Sequence, residues 1–203
     1  MRIKAPARGI DFHTHDVFGN SVRLSEFLGR RVALSFFRDA ACPFCNYRLY
    51  ELTRQHDEWK QSGMEIVVFF SDTQARVQKY IASRPRPFTM ICDPQLEFYQ
   101  QYRVERSYAA LLKASIFGVP EFLRGIWTGG RPSIHKHMNV VPADFLIDSR
   151  GNIVEAYYGS DTADHIPMAT LESFATKGQT LKMLQLRQQL EHLKAENERL
   201  KKQ

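Results

Sequence analysis

Cys42 and Cys45, with Pro43 and Phe44 between them, are the residues of this chain with the clearest chemical use. Two thiols at this spacing open and close a disulfide, attack a disulfide or peroxide, or supply half of a zinc site. A zinc site needs two more ligands. The sequence has no second Cys-x-x-Cys, so Cys92 and scattered histidines would have to assemble them. The context favours redox chemistry: an apolar run over Arg31–Phe37 ends, the residues Arg38-Asp39-Ala40-Ala41 turn, and the pair opens a helix. Cys42 then falls at a helix N-terminus, where unpaired N–H groups and the positive dipole end favour an anion. Its pKa should fall and its nucleophilicity rise. Cys45 lies one turn on, beside Leu49 and Leu52, and is expected to be the less exposed, resolving thiol. Pro43 at the first helical position sacrifices no hydrogen bond. Arg38 and Arg48 flank the pair and are candidates for lowering a thiol pKa.

Strands and helices that position such a pair are legible along the first 177 residues. Arg31–Phe37 and Met64–Phe70 are apolar runs with the length of buried strands. Between them Cys45, Leu49, Leu52, His56 and Trp59 recur at helical spacing and mark one apolar face. Residues 17–22 read as a tight hairpin turning at Gly19-Asn20. Asp72 or Thr73 is placed to cap the helix that follows the second strand. Residues 88–92 form a third strand candidate, after which Asp93-Pro94 predicts an N-cap and a helix-initiating proline. Residues 140–147 and 153–158 flank a polar, glycine-containing turn and predict a hairpin. A short helix around 169–175 closes this part. The alternation implies an α/β fold with a central mixed sheet flanked by helices.

These segments resemble the peroxiredoxin-like (AhpC/TSA, thiol-specific antioxidant) superfamily, in its members that carry Cys-x-x-Cys. The likeness covers most of residues 9–175. It rests on Gly9-Ile10-Asp11-Phe12, Asp16-Val17-Phe18-Gly19-Asn20, the runs 22–28 and 31–37, Ile91-Cys92-Asp93-Pro94, the run 141–148 with Gly151, and Tyr157-Tyr158-Gly159. The resemblance implies a thioredoxin-like fold and thiol-dependent catalysis. It also implies that Pro142 takes the place of the cis-proline facing the cysteine pair, so that Pro142, Pro43 and Phe44 shape the substrate groove. Departures from the pattern are specific. Asp39 and Ser35 stand where the superfamily's threonine and proline should precede Cys42. Counting from Cys45, Cys42 and Arg38 hold those positions instead. Pro142-Ala143-Asp144 stands where its arginine is usual. Alignment to peroxiredoxins puts Cys45 nearer the peroxidatic position, whereas alignment to thioredoxins and the helix-face argument make Cys42 the attacking thiol.

Several residues have blander readings. Cys92 ends an apolar strand and is expected in the core. The pairs His13/His15 and His135/His137 have the spacing of a metal site but no nearby carboxylate or cysteine partners, so no metal and no other cofactor is expected. The apolar segment 108–130 reads as a helical insertion packed on its own domain, with a lid, partner surface or membrane-surface helix as alternatives. From residue 178 the chain becomes a leucine-spaced helix. Leu186, Leu193 and Leu200 repeat every seven residues, with Met183, Leu190 and Asn197 interleaved, a coiled-coil-like pattern that favours a parallel homodimer.

The sequence carries a formal charge of +6, of which residues 179–203 hold +3. No basic helix precedes the heptads, so nucleic acid is not an expected partner. No apolar stretch is long enough to span a bilayer, and the first residues lack a secretory pattern, making the cytoplasm the expected location. The expected organisation is a redox domain over 1–177 and a helix over 178–203. The expected activity is thiol–disulfide exchange at Cys42 and Cys45 on a disulfide substrate, with an external thiol reductant as electron donor. Reduction of hydrogen peroxide or organic hydroperoxides is the alternative within the enzyme class. A redox-sensing interaction module dimerised by the C-terminal helix is the alternative outside it.

Overall fold

The computed structural model describes residues 1–82, 86–132, 136–177 and 189–190. The elements are β1 (Ala7–Arg8), β2 (His13–His15), β3 (Ser21–Arg23), β4 (Arg31–Phe37), α1 (Pro43–Gln61), β5 (Met64–Phe70), α2 (Gln74–Tyr80), β6 (Thr89–Cys92), α3 (Glu97–Gln101), α4 (Tyr108–Phe117), α5 (Val119–Trp127), β7 (Ala143–Ile147) and β8 (Asn152–Tyr158). A last helix, α6, spans 168–177. The tail beyond residue 177, with its heptad leucines, lies outside the described residues apart from 189 and 190.

Six strands form one mixed sheet in the order β1-β8-β7-β4-β5-β6. β4, β5 and β6 run parallel, while β7, β8 and β1 add antiparallel to the other side. β4 lies between β5 and β7, so its seven residues are almost wholly buried. Alternate residues serve the two faces, as strand geometry requires. Ala33 and Phe37 join Cys45, Leu49, Leu52 and Trp59 of α1, with Leu171 and Phe174 of α6, on one side. Val32, Leu34 and Phe36 join Tyr99, Tyr102 and Phe145 on the other. The thioredoxin-type architecture is therefore present: a central mixed sheet with helices on both faces.

Two details differ from the sequence reading. The early hairpin turns over 16–20, with β2 and β3 as its arms, and Val17 is not in a strand but plugs the core. The Asp16 carboxylate accepts hydrogen bonds from the Phe18 and Asn20 amides, and Gly19 supplies the left-handed residue (φ +89°). The helix after Asp93 begins only at Glu97, because a turn intervenes and Leu96 is left-handed at φ 61°. Asp93 still caps it, from four residues upstream, by accepting from the amides of Glu97, Phe98 and Tyr99.

The insertion α4–α5 packs onto the start of α1. Phe122 meets Phe44 at 5.8 Å, Arg124 lies over the Tyr47 ring, and Trp127 approaches Tyr50 at 6.3 Å. Contact is closest at two glycines. A Cβ on Gly125 would lie 2.1 Å from the Pro43 carbonyl oxygen, and one on Gly130 would lie 2.4 Å from the Pro43 Cα. Backbone therefore rests on backbone at the first turn of the redox helix. Gly125→Ala should lower the unfolding free energy by about 1–3 kcal/mol, read from a shifted urea midpoint at unchanged slope. An unshifted midpoint would mean that α5 does not sit on Pro43.

Candidate active site

Cys42 caps α1 and Pro43 takes its first position, so the thiol stands where α1 presents its free amides. The turn before it is held by an unusual density of polar contacts. The Asp39 carboxylate accepts from the Ala41 amide at 2.9 Å and from Arg76 at 3.1 Å. Arg76 also donates to buried Asp72, which accepts the Ala40 amide at 3.3 Å. Asn46, one turn into α1, donates to the carbonyls of Ala40 and Cys42. Its own amide completes the first helical bond, to the Cys42 carbonyl.

Arg38 bends back over this turn. One terminal nitrogen donates to the Cys42 Sγ at 2.8 Å and the other to the Met138 carbonyl at 2.8 Å. Its buried Nε has no hydrogen-bond partner among the described residues. Cys42 and Arg38 both line a cavity of about 580 Å³, walled by Pro43, Phe44 and residues of α4 and α5 such as Leu111, Ala114, Val119, Phe122 and Leu123. The site is thus a cation and a thiol at the floor of an apolar chamber.

The match of the AhpC/TSA family model extends over residues 4–156. The chain belongs to the AhpC/TSA family. Peroxiredoxin Bcp of Escherichia coli strain K12 is 23% identical over 154 residues, which is 76% of this chain and 85% of that protein. Thiol-disulfide oxidoreductase ResA of Halalkalibacterium halodurans is 26% identical over 102 residues, half of this chain and 57% of that one. Among solved structures, peroxidoxin BcpB from Mycobacterium tuberculosis superposes with a TM-score of 0.62 at 18% identity, covering 88% of this chain and 98% of its own. The protein is accordingly a thiol-dependent oxidoreductase on a thioredoxin-like fold.

In this AhpC/TSA protein both cysteines are free thiols and both are buried, Cys42 at 2% exposure and Cys45 at 1%. The expected contrast in exposure is therefore absent. The contrast lies in charge. Burial alone would push the Cys42 thiol up, but a hydrogen bond from the Cys45 thiol and the positive charge and hydrogen bond of Arg38 outweigh it, bringing its pKa down to about 6. Cys45 is raised well above the ordinary thiol value by burial, by its hydrogen bond to Cys42 and by the Cys42 charge. Cys92 is half-buried and is pushed up to about 12 by burial and by the charge of Asp72.

Other residues singled out in the sequence fall elsewhere. Arg48 does not reach a thiol. It is buried on the side of α1 away from Cys42, donating to the Ile166 carbonyl and facing Glu51 and Asp144. Pro142 is buried but does not line the cavity, and its peptide bond is trans, Ala5–Pro6 being the one cis bond among the described residues. Pro142 precedes β7, where its missing N–H breaks no ladder bond, and its carbonyl accepts from Gly159. His13 and His15 sit on the exposed hairpin, His137 bonds the Pro94 carbonyl, and His135 lies outside the described residues. Asp144 makes a buried hydrogen bond with the His165 ring, at 3.1 Å, and accepts the Ile166 amide. No local pattern marks that pair, because its members lie 21 residues apart.

A thiolate is the reactive form, so Cys42 should react slowly below its pKa and level off above it. The rate of iodoacetamide alkylation at Cys42 should rise with pH through a midpoint near 6, with Cys45 and Cys92 unmodified over the same range. A midpoint in the ordinary thiol range near 8.5 would remove the electrostatic account.

Proposed function

We propose that Cys42 is the attacking thiolate and Cys45 the resolving thiol, and that the substrate is a small organic hydroperoxide entering through the apolar cavity. The carrying observation is the contact of Arg38 with the Cys42 sulfur at the cavity floor. Asp39 stands where the family pattern has a threonine, and Pro142-Ala143-Asp144 stands where it has an arginine, which left the site without an evident donor for a peroxide oxygen. Arg38 fills that need from the end of β4, and its Nε–H has no partner among the described residues to compete with a substrate oxygen.

The Cys42 thiolate attacks the terminal peroxide oxygen, and the sulfur–oxygen bond forms as the oxygen–oxygen bond breaks. The electron pair leaves on the alkoxide, which takes a proton and departs as the alcohol. Cys42 is then a sulfenic acid. Cys45, one helical turn away, attacks that sulfur; hydroxide leaves and takes the Cys45 proton as water. The Cys42–Cys45 disulfide carries the two-electron oxidation until an external thiol or dithiol reduces it.

A second reading, thiol–disulfide exchange, is favoured by the Cys-x-x-Cys at a helix N-terminus with its thiols hydrogen-bonded to each other. Cys42 is almost fully covered, so a disulfide partner in that case has to be small enough for the cavity. Single-turnover kinetics separate the two. Cumene hydroperoxide should consume the reduced thiols about tenfold or more faster than hydrogen peroxide does, since apolar contacts in a closed pocket discriminate on that scale. Peptide mapping should then find a Cys42–Cys45 disulfide with Cys92 free, and Cys42→Ser should abolish the fast phase. Both peroxides reacting at the rate of free cysteine, with a small aromatic disulfide reacting rapidly, would transfer the function to disulfide exchange.

A further inference from the structure

α4 and α5 show two apolar faces. Their inner residues cover α1 and wall the cavity, and a second set points outward. Tyr108, Leu112 and Ile116 recur every four residues along α4, and all three are exposed, Leu112 at 63%. Along α5, Val119, Leu123, Ile126 and Trp127 share one face at i, i+4, i+7 and i+8. All four are exposed, Leu123 at 61% and Trp127 at 79%. Single exposed apolar residues are ordinary, but a row of large ones along two consecutive helices is not. Elsewhere among the described residues the buried apolar side chains fill two cores.

Charge singles out the occupant. Residues 106–136 contain Arg106, Lys113, Arg124, Arg131 and Lys136 against Glu121 alone, a net +4 out of the +6 carried by the whole sequence. All five basic residues are exposed. Lys113 directs part of its charge to Asp161, at 3.3 Å, and Arg124 lies over the Tyr47 ring. Exposed apolar side chains that include a tryptophan, on a segment with a net positive charge, match the boundary between acyl chains and anionic headgroups. A second copy of this chain would instead set +4 against +4.

We propose that the outer face of α4–α5 docks onto anionic lipid bilayers. Val119 and Leu123 belong both to this face and to the cavity lining, so docking opens the path to Cys42 toward the acyl region. The proposal holds whichever substrate Cys42 reduces.

The test uses the intact reduced chain and vesicles of phosphatidylcholine alone or with phosphatidylserine. The chain should sediment with the phosphatidylserine vesicles, weakly with pure phosphatidylcholine, and come off as salt is raised. Trp59 is buried, so a blue shift of the emission on binding reports Trp127. The double variant Ile126→Ser/Trp127→Ser should bind at least tenfold more weakly, and its rate of thiol oxidation by hydrogen peroxide should be that of the parent, because neither residue lines the cavity. Equal binding by parent and double variant would assign vesicle affinity to another part of the chain and overturn the proposal. So would an absence of vesicle binding together with a concentration-dependent dimer that the double variant loses.

Discussion

A buried thiolate must be matched by a buried cation, and the rest of this site follows from that requirement. Cys42 is 2% exposed, and an isolated anion so buried would be protonated instead. Arg38 supplies the opposite charge. It is itself almost wholly buried, and burial works against its own charge; the charge and hydrogen bond of Cys42, with the charge of Asp39, work in the opposite direction. A guanidinium gives directional hydrogen bonds as well as charge, so one side chain both anchors to the Met138 carbonyl and meets the sulfur. Removing either member would strand the other in a low-dielectric setting.

Holding that contact requires rigidity in the turn between β4 and α1. Asp72, Arg76 and Asp39 form a charged lattice behind the turn, while Asn46 ties it from the helix side. α5 closes the front, and Gly125 and Gly130 allow it to rest directly on the Pro43 backbone. The same helix also walls the chamber that Cys42 lines. In the proposed function, reactivity at Cys42 and selectivity for small apolar molecules are two results of this one packing arrangement. Across α1, the separate group of Arg48, Asp144 and His165 joins the helix to β7 and to the segment before α6.

Much of this was legible in the sequence where a feature is local. β4 and β5 occupy the full span of their apolar runs, because parallel interior strands are buried on both faces and need no polar alternation. The buried face of α1 is the one marked by Cys45, Leu49, Leu52, His56 and Trp59, and Cys42-Pro43 opens the helix. Contacts between distant segments were not legible. Arg38 and Arg48 looked equivalent beside the cysteine pair; only the reversal of chain after β4 aims the first at the sulfur, while the helix carries the second to its far side. Nothing in the sequence singled out Gly125 and Gly130, whose close approach to Pro43 appears only in the fold. Asp72 looked like a helix cap until Ala40 and Arg76 were in place beside it.

The central claim is that Arg38 holds Cys42 as a thiolate, and the far-ultraviolet thiolate absorbance of the reduced chain at neutral pH tests it most directly. The parent should show the absorbance of a single thiolate, lost on acidification and lost at neutral pH in Arg38→Met, with cooperative unfolding of the variant establishing that it is folded. A folded Arg38→Met protein that keeps the full absorbance and an unchanged titration midpoint would contradict the account.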